Sequence, residues 1–358
     1  MRILYFGTYE RGYPRNAQVI SCLRREEVEV LERHEGVWDS TRDKWALGGR
    51  TALRLLGAEA RLAAAGRVRG VDAVVVGYPG QLDMPLARVL SRRLPLIFNP
   101  LVSLTETLVN DRGRFRHGSP AGAALRALDR LALRCADVVV ADTAQNAAFL
   151  SELGGVPHAR LEVCLVGAEE RVFRPVWKRP KRFHALFVGK LIPLHGLETI
   201  LEAARLTPEI PFRIVGSGQL GALLERAPGN VQRVEWVEYE LLPRELGVAG
   251  CALGIFGTGA KAQRVIPNKA FQAIACGTPL VTADTPAARE LLVDEVSALL
   301  VRPGDADALA SALRRLAVDE SLAERIGAGG RAAYETHASE AVLGRRWRGL
   351  LERVADRS

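Results

Sequence analysis

Three short stretches in the second half of this 358-residue chain collect side chains suited to holding phosphate. The first is Gly189-Lys190-Leu191-Ile192-Pro193-Leu194-His195-Gly196, which follows the apolar run HALFV and precedes a helical pattern. A cation where a strand gives way to a helix adds to the positive end of the helix dipole, and together they make an anion site. Lys190 supplies a point charge and His195 a second donor. Read alone, solvation explains Lys190 and capping explains His195 equally well. The second stretch, Gly216-Ser217-Gly218 after FRIV, offers close backbone approach and one hydroxyl, yet such a turn is often only a turn. The third, running from Thr258 to Gly277, places Lys261, Arg264 and Lys269 at the opening of a helix. Pro267 suits the first turn, Gly277 the C-terminal cap, and Asn268 can make directional hydrogen bonds. Three cations at one helix opening call for an anion or for open water, and a diphosphate carries the charge.

In the first half, Gly7 ends the opening strand, and Tyr13-Pro14-Arg15-Asn16 starts the next helix. Arg15 and Asn16 are expected to face the ligand cleft; the competing reading makes Asn16 an ordinary cap and leaves Arg15 solvated. Asn99, Ser103, Thr105, Glu106 and Asp111 follow the fourth strand. Glu106 and Asp111 are the acceptor-side carboxylate candidates, the alternative being solvated loop acids. No Asp-x-Asp pair stands at a strand end to hold a divalent ion, so no metal site is expected.

The elements that must carry these loops alternate along the whole chain. Strand-like runs at Arg2–Phe6, Val28–Leu31, Asp72–Gly77, Pro95–Asn99 and Asp137–Ala141 are separated by helical periods, and VDAVVVG and ADVVVAD are nearly continuous apolar runs. Such runs fit strands buried on both faces of a parallel sheet, hence a doubly wound α/β fold. The alternation pauses in a charged, proline-bearing stretch and then restarts. The expected organisation is an N-terminal Rossmann-like acceptor-side domain over 1–170, a linker over 171–183, a C-terminal Rossmann-like domain over 184–338, and a terminal helix over 339–358. Ligands of such sheets lie beyond the carboxyl ends of the strands, where the three stretches sit.

Composition restricts the partners. The formal charge is +8, from 49 basic and 41 acidic side chains, but only six of the basic ones are lysines. An Arg-over-Lys bias with abundant Ala, Leu and Gly is a background property, and no nucleic-acid-binding motif accompanies it, so no nucleic-acid role is expected. The five scattered cysteines form no C-x-x-C pair and are read as buried thiols in a reducing compartment. The opening MRILYFGTYERGY is too short an apolar run for a signal peptide. A cytoplasmic location is expected; the basic charge is compatible with weak peripheral contact with an anionic membrane face.

Taken together, GKLIPLHG, GSGQ, VIPNKAFQAIACGTPLVTAD and PAARELL resemble the successive donor-site blocks of family 4 glycosyltransferases, and GAEERVFRP resembles that family's passage into its second domain. YFGTYERGYPRN, VGYPGQLDMPLA and VSLTETLVNDR resemble one subgroup of the same family. The resemblance implies the GT-B architecture: two Rossmann-like domains facing each other across a cleft, with the C-terminal helix packing back toward the N-terminal domain. It implies transfer of a sugar from a nucleotide-diphosphate donor to a hydroxyl acceptor, with retention and without metal. The nucleotide sugar serves as co-substrate, with no cofactor, and the acceptor is a glycan, a lipid-linked sugar or a small molecule. Lys190 and His195 match the family's phosphate-binding basic pair. Arg264 and Gln272 stand where the family has two glutamates, and Glu290 matches a further donor-side glutamate. Gln272 can still bind ribose hydroxyls through its amide, whereas Arg264 cannot replace a carboxylate beside the sugar. Lys190, Lys269, Arg264 and Glu290 are therefore the expected catalytic set. A nucleotide-sugar epimerase of the same architecture, or an inactive nucleotide-sugar-binding protein, are the alternatives. A nicotinamide oxidoreductase is disfavoured because no G-x-G-x-x-G follows the first strand.

Overall fold

The computed structural model describes residues 1–38 and 49–356. The first unit opens with β1 (Arg2–Gly7), α1 (Pro14–Arg25), β2 (Glu29–His34), α2 (Gly49–Ala64) and β3 (Ala73–Val76). It continues through α3 (Asp83–Ser91), β4 (Leu96–Phe98), α4 (Pro120–Cys135), β5 (Val138–Ala141), α5 (Ala144–Gly154) and β6 (Leu161–Val163). These strands pair in parallel in the order β2-β1-β3-β4-β5-β6. The apolar runs lie where two-sided burial requires them: β3 and β5 are buried along their whole length. Because successive crossovers are right-handed, stepping from β2 past β1 to β3, and on through β4 and β5 to β6, lays α2, α3, α4 and α5 side by side on one face.

The second unit runs β7 (Ala185–Val188), α6 (Leu197–Leu206), β8 (Phe212–Val215), β9 (Val231–Val234), α7 (Leu242–Val248) and β10 (Cys251–Leu253). It closes with α8 (Asn268–Cys276), β11 (Leu280–Ala283), β12 (Leu299–Val301), α9 (Ala306–Val318) and α10 (Glu320–His337). Its strands are also all parallel, in the order β12-β11-β10-β7-β8-β9. Strand order therefore reverses between β7 and β10. At such a switch point the connecting loops diverge to opposite faces and leave a crevice at the carboxyl ends of the strands. Phe187, Ile214, Leu253 and Val281 contribute to the core beneath it.

The last helix, α11 (Glu340–Ala355), belongs with the first unit and packs along α1. Gly344 permits the approach: a Cβ there would lie 2.9 Å from the Cys22 carbonyl oxygen. Trp347 is fully buried in that contact. The charged, proline-bearing stretch is laid down on the second unit, which begins at Gly167. Val176 and Trp177 N–H groups donate to the Cys276 carbonyl, and the Trp177 indole donates to the Ala249 carbonyl at 2.8 Å. Strand β6, absent from the sequence-based reading, adds one edge. Its sequence, Leu-Glu-Val, is too short and too polar to stand out.

Candidate functional site

The loops after β7 and β8 are joined at the carboxyl edge of the second sheet. The Gly189 N–H donates to the Val215 carbonyl at 2.9 Å, and the Leu191 N–H donates to the Ser217 carbonyl at 3.0 Å. The approach demands glycine at 216, because a Cβ there would lie 1.9 Å from the Gly189 carbonyl oxygen at φ +147°. Gly189 faces the other way, and a Cβ on it would meet Lys269 Nζ at 2.7 Å. Gly218, packed against the Leu191 backbone, continues this contact, while Ser217 is exposed.

Lys269 is the central cation. It extends from the first turn of α8, whose N-cap is Pro267 and whose first residue is Asn268. Its Nζ is fully buried with no hydrogen-bond partner, and it lies 3.7 Å from the centroid of the Phe187 ring. Desolvation alone pushes this ammonium well below its ordinary 10.5. A buried cation without a counter-charge is expensive, and proteins normally pair it. An anion arriving at this edge would restore its charge. Lys269 and Gln272 line a small pocket together with Leu186, Val188, Leu242, Leu246, Ala252 and Leu253. Tyr239 faces Gln272 from the other side and packs edge-on against Phe173 at 5.3 Å.

His195 is close by. It is buried, Nδ1 meets the Lys190 carbonyl oxygen, and the ring stands edge-on to Phe187 at 5.6 Å. The Phe256 N–H donates to the His195 carbonyl at 3.1 Å, tying the loop after β10 to the loop after β7 across the switch point. Lys190 itself is exposed beside them. Arg264 lies in the turn leading to α8, where its N–H donates to the Lys261 carbonyl at 3.0 Å; partial burial lowers the guanidinium pKa. The Ala287 N–H donates to the Gln263 carbonyl at 3.2 Å, which brings the short helix ending at Glu290 beside Arg264's loop. Glu290 is exposed there. Thus Gly189, Lys190, His195, Gly216, Ser217, Gly218, Lys269 and Gln272 gather at one sheet edge, with Arg264 and Glu290 on adjoining loops.

In the first unit the expected site residues are largely internal. Arg15 does not face open space: it is buried, with Nε donating to Asn99 at 3.0 Å and Nη1 donating to the Cys164 and Leu165 carbonyls at 2.8 Å. Its guanidinium also lies 5.9 Å from the Trp347 ring centroid. Asn16 is likewise internal, accepting from the Tyr5 hydroxyl and the Tyr78 N–H at 2.9 Å and donating to the Glu10 carbonyl at 2.8 Å. Both brace strand-end loops. Gly7 is required by packing, since a Cβ would lie 2.2 Å from an Asp83 carboxylate oxygen. Glu106 is buried and Asp111 half-buried in the helical segment Glu106–Asp111.

Two carboxylate arrangements escaped the sequence reading. Asp129 accepts the Ser103 hydroxyl at 2.8 Å and the Leu104 and Thr105 N–H groups at 2.9 Å, so it shapes the loop before Glu106. Asp83 accepts both the N–H and the hydroxyl of Thr8, at 2.8 and 3.0 Å, and meets the Glu59 carboxyl. Burial raises both acids, with Glu59 pushed up to about 9. Asp83, holding the Thr8 donors, keeps the charge and Glu59 keeps the proton.

The comparisons with known proteins fit this geometry. Residues 9–167 match the model of the glycosyl transferase 4-like domain, and residues 182–319 match that of glycosyl transferases group 1. The chain is built from two glycosyltransferase-family domains. It is 30% identical over 216 residues to the amylovoran biosynthesis glycosyltransferase AmsK of Erwinia amylovora, a match covering 56% of this chain and 53% of that protein. It is 28% identical over 225 residues to the D-inositol 3-phosphate glycosyltransferase of Thermomonospora curvata, covering 54% and 52%. The matched region thus spans about half the length of these curated relatives. In fold, the chain resembles the sucrose-phosphate synthase of Thermosynechococcus elongatus (TM-score 0.77, 16% identity, all of both chains). It also resembles Anabaena Alr3699/HepE, solved in complex with UDP-glucose (TM-score 0.70, 16% identity, 99% of this chain and 100% of that one). These are GT-B structures, and the two parallel sheets described above are their Rossmann-like domains.

Proposed function

We propose that this protein transfers a sugar from a nucleoside-diphosphate donor, held by its second unit, to a hydroxyl of a glycan, lipid-linked or small-molecule acceptor. The observation that carries the reading is the buried, unpartnered Nζ of Lys269 at the reversal of strand order, beneath the glycine-built junction of two strand-end loops. Cleavage of a sugar–phosphate bond leaves negative charge on the departing diphosphate. Lys269, which does not have to shed a water shell to meet that charge, stabilises it, helped by Lys190 and by the N–H groups opening α8. Gln272, beside Tyr239, is suited to the ribose hydroxyls, with Asn268 and Ser217 as further donors. Arg264 and Glu290, on adjoining loops, are assigned to the sugar end of the donor. Their types depart from the family pattern at one position and agree at the other.

The reaction is proposed to retain anomeric configuration and to run without a divalent ion or cofactor, since resident cations occupy the role a metal would take. The names of the relatives and the UDP-glucose complex of a structural neighbour support a nucleotide-sugar donor and a saccharide-type acceptor. A thermal-shift panel of nucleoside diphosphates and their sugars tests the reading, because a ligand that binds only the folded state raises the melting temperature. Selective stabilisation by one nucleoside diphosphate is expected. No response to any of them refutes the proposal.

A further inference from the structure

Lys269 is set differently from the other cations of its unit's sheet edge. Lys190 is exposed, and Lys261 and Arg264 lie half-buried in the turn before α8. Lys269 as a whole is also half-buried, yet its Nζ atom is inside and meets no hydrogen-bond acceptor. An ammonium carries three N–H groups, and each one left without an acceptor in a dry place is costly. The Phe187 ring, 3.7 Å away, attracts a cation through its quadrupole but returns only part of the lost hydration.

No carboxylate supplies the rest. The strands beneath Nζ present apolar side chains, Leu186 and Val188 from β7 and Ala252 and Leu253 from β10. On α7, Glu245 is committed to Arg213 at 2.6 Å. On α8 the neighbouring polar groups, Asn268 and Gln272, are neutral. The loop after β7 contributes Lys190 and His195, the latter donating from Nδ1 to the Lys190 carbonyl. Beyond Gln272, the charges of Glu169, Glu240 and Arg171 act on Tyr239. Glu290 is exposed on its short helix. Every ionisable group at the Lys269 end of the pocket is thus a base, and burial alone holds the amine well below its ordinary 10.5.

We infer that Lys269 is a neutral amine in the empty protein, takes one proton from solution as the pyrophosphate of the donor arrives, and returns it when the diphosphate leaves. The inference rests on the donor-site reading given above. The step balances without a covalent bond to the ligand: amine, proton and phosphate oxygen become an ammonium hydrogen-bonded to that oxygen. Such a site avoids a buried, unpaired charge while it is empty. It also makes donor affinity depend on pH. Between the pKa of Lys269 in the empty protein and that in the complex, each unit rise in pH weakens binding by about tenfold, the slope that one proton imposes. A solvated lysine, ionised up to about 10.4, would give no such slope near neutral pH.

Isothermal titration calorimetry of the full chain tests this, with UDP-, ADP-, GDP- and dTDP-glucose as probes. Both phosphates of a nucleotide sugar are esterified on each side and carry no proton that titrates near neutral pH, so protons taken up belong to the protein. Titrations at pH 8.5 in Tris and in Bicine, buffers of unlike ionisation enthalpy, count them. The wild type should take up about one proton per bound nucleotide sugar, and its Kd should rise about tenfold between pH 8.5 and 9.5. Lys269→Met should bind more weakly and take up none. Lys269→Arg, whose guanidinium stays protonated, should bind with no uptake. Thermal melts show which variants fold, and the wild-type proton count and slope carry the test if neither does. Binding by the wild type without proton uptake overturns the inference and leaves the donor site standing. Uptake that persists in Lys269→Met also overturns it, by assigning the proton to another group such as His195. Absence of binding by all four nucleotide sugars removes the donor-site reading, and this inference with it.

Discussion

Replacing Lys269 with methionine separates the two properties that make this lysine unusual. Methionine keeps the unbranched apolar stem against Phe187 and fills the same space, so the cavity edge is conserved while the charge goes. In the empty protein the buried ammonium is a liability, because its folded-state pKa is depressed by desolvation. Between that depressed value and the ordinary 10.5, the unfolded chain binds a proton that the native state lacks, so wild-type stability falls as pH falls through this window. At neutral pH the Lys269→Met protein should therefore melt higher than the wild type. With ligand the order reverses. A charge-assisted hydrogen bond contributes about 1.5–3 kcal/mol, roughly ten- to hundredfold in affinity. Loss of a donor aimed at developing charge costs about 10²–10³ in kcat. The assays are differential scanning fluorimetry with and without nucleoside diphosphate, and initial rates on the donor that the panel identifies. A variant that is no more stable when empty, and that keeps both the nucleotide-dependent shift and wild-type turnover, refutes the assignment of Lys269.

Further consequences are testable alongside it. Glu59→Gln should flatten the pH dependence of stability. The raised carboxyl of Glu59 contributes fully below the unfolded value near 4.5, and that contribution fades as pH rises through about 9; identical slopes for both proteins in urea titrations across that range would contradict the shared proton. Gly216→Ala forces a methyl onto the Gly189 carbonyl at a positive φ, and a loss of about 1–3 kcal/mol is expected in chemical denaturation. Arg15→Lys keeps the charge but not the three hydrogen bonds; its melting temperature should drop while the nucleotide-induced shift persists, and loss of that shift without destabilisation would return Arg15 to the donor site. Chelation should leave turnover intact, and activity lost to chelator and restored by a divalent ion would reject the metal-free step.

What could be read from the sequence divides along physical lines. Two parallel α/β sheets follow from apolar strands alternating with helical periods, because two-sided burial is a property of each strand alone. The loops after β7, β8 and β10 could be picked out as well, since glycine, proline and lysine at element boundaries carry local meaning. The internal contacts of Arg15 and Asn16 were not legible, for the complementary reason. A polar residue at a helix start looks the same whether it meets ligand or, as here, carbonyl groups 149 and 150 residues further along the chain. The Asp83–Thr8 and Asp129–Ser103 contacts also join distant positions, 75 and 26 residues apart, and nothing local marks them. Phe187 passed for an ordinary core residue until the fold set the Lys269 ammonium over its ring.

A crystal structure of the protein grown with its preferred nucleoside diphosphate bears most directly on the second-unit phosphate site. The pyrophosphate should lie within hydrogen-bonding distance of Lys269 Nζ, against the Gly189 and Gly216–Gly218 loops and the first turn of α8. A well-ordered nucleotide whose phosphates rest elsewhere, with Lys269 still buried and unpaired, would contradict it.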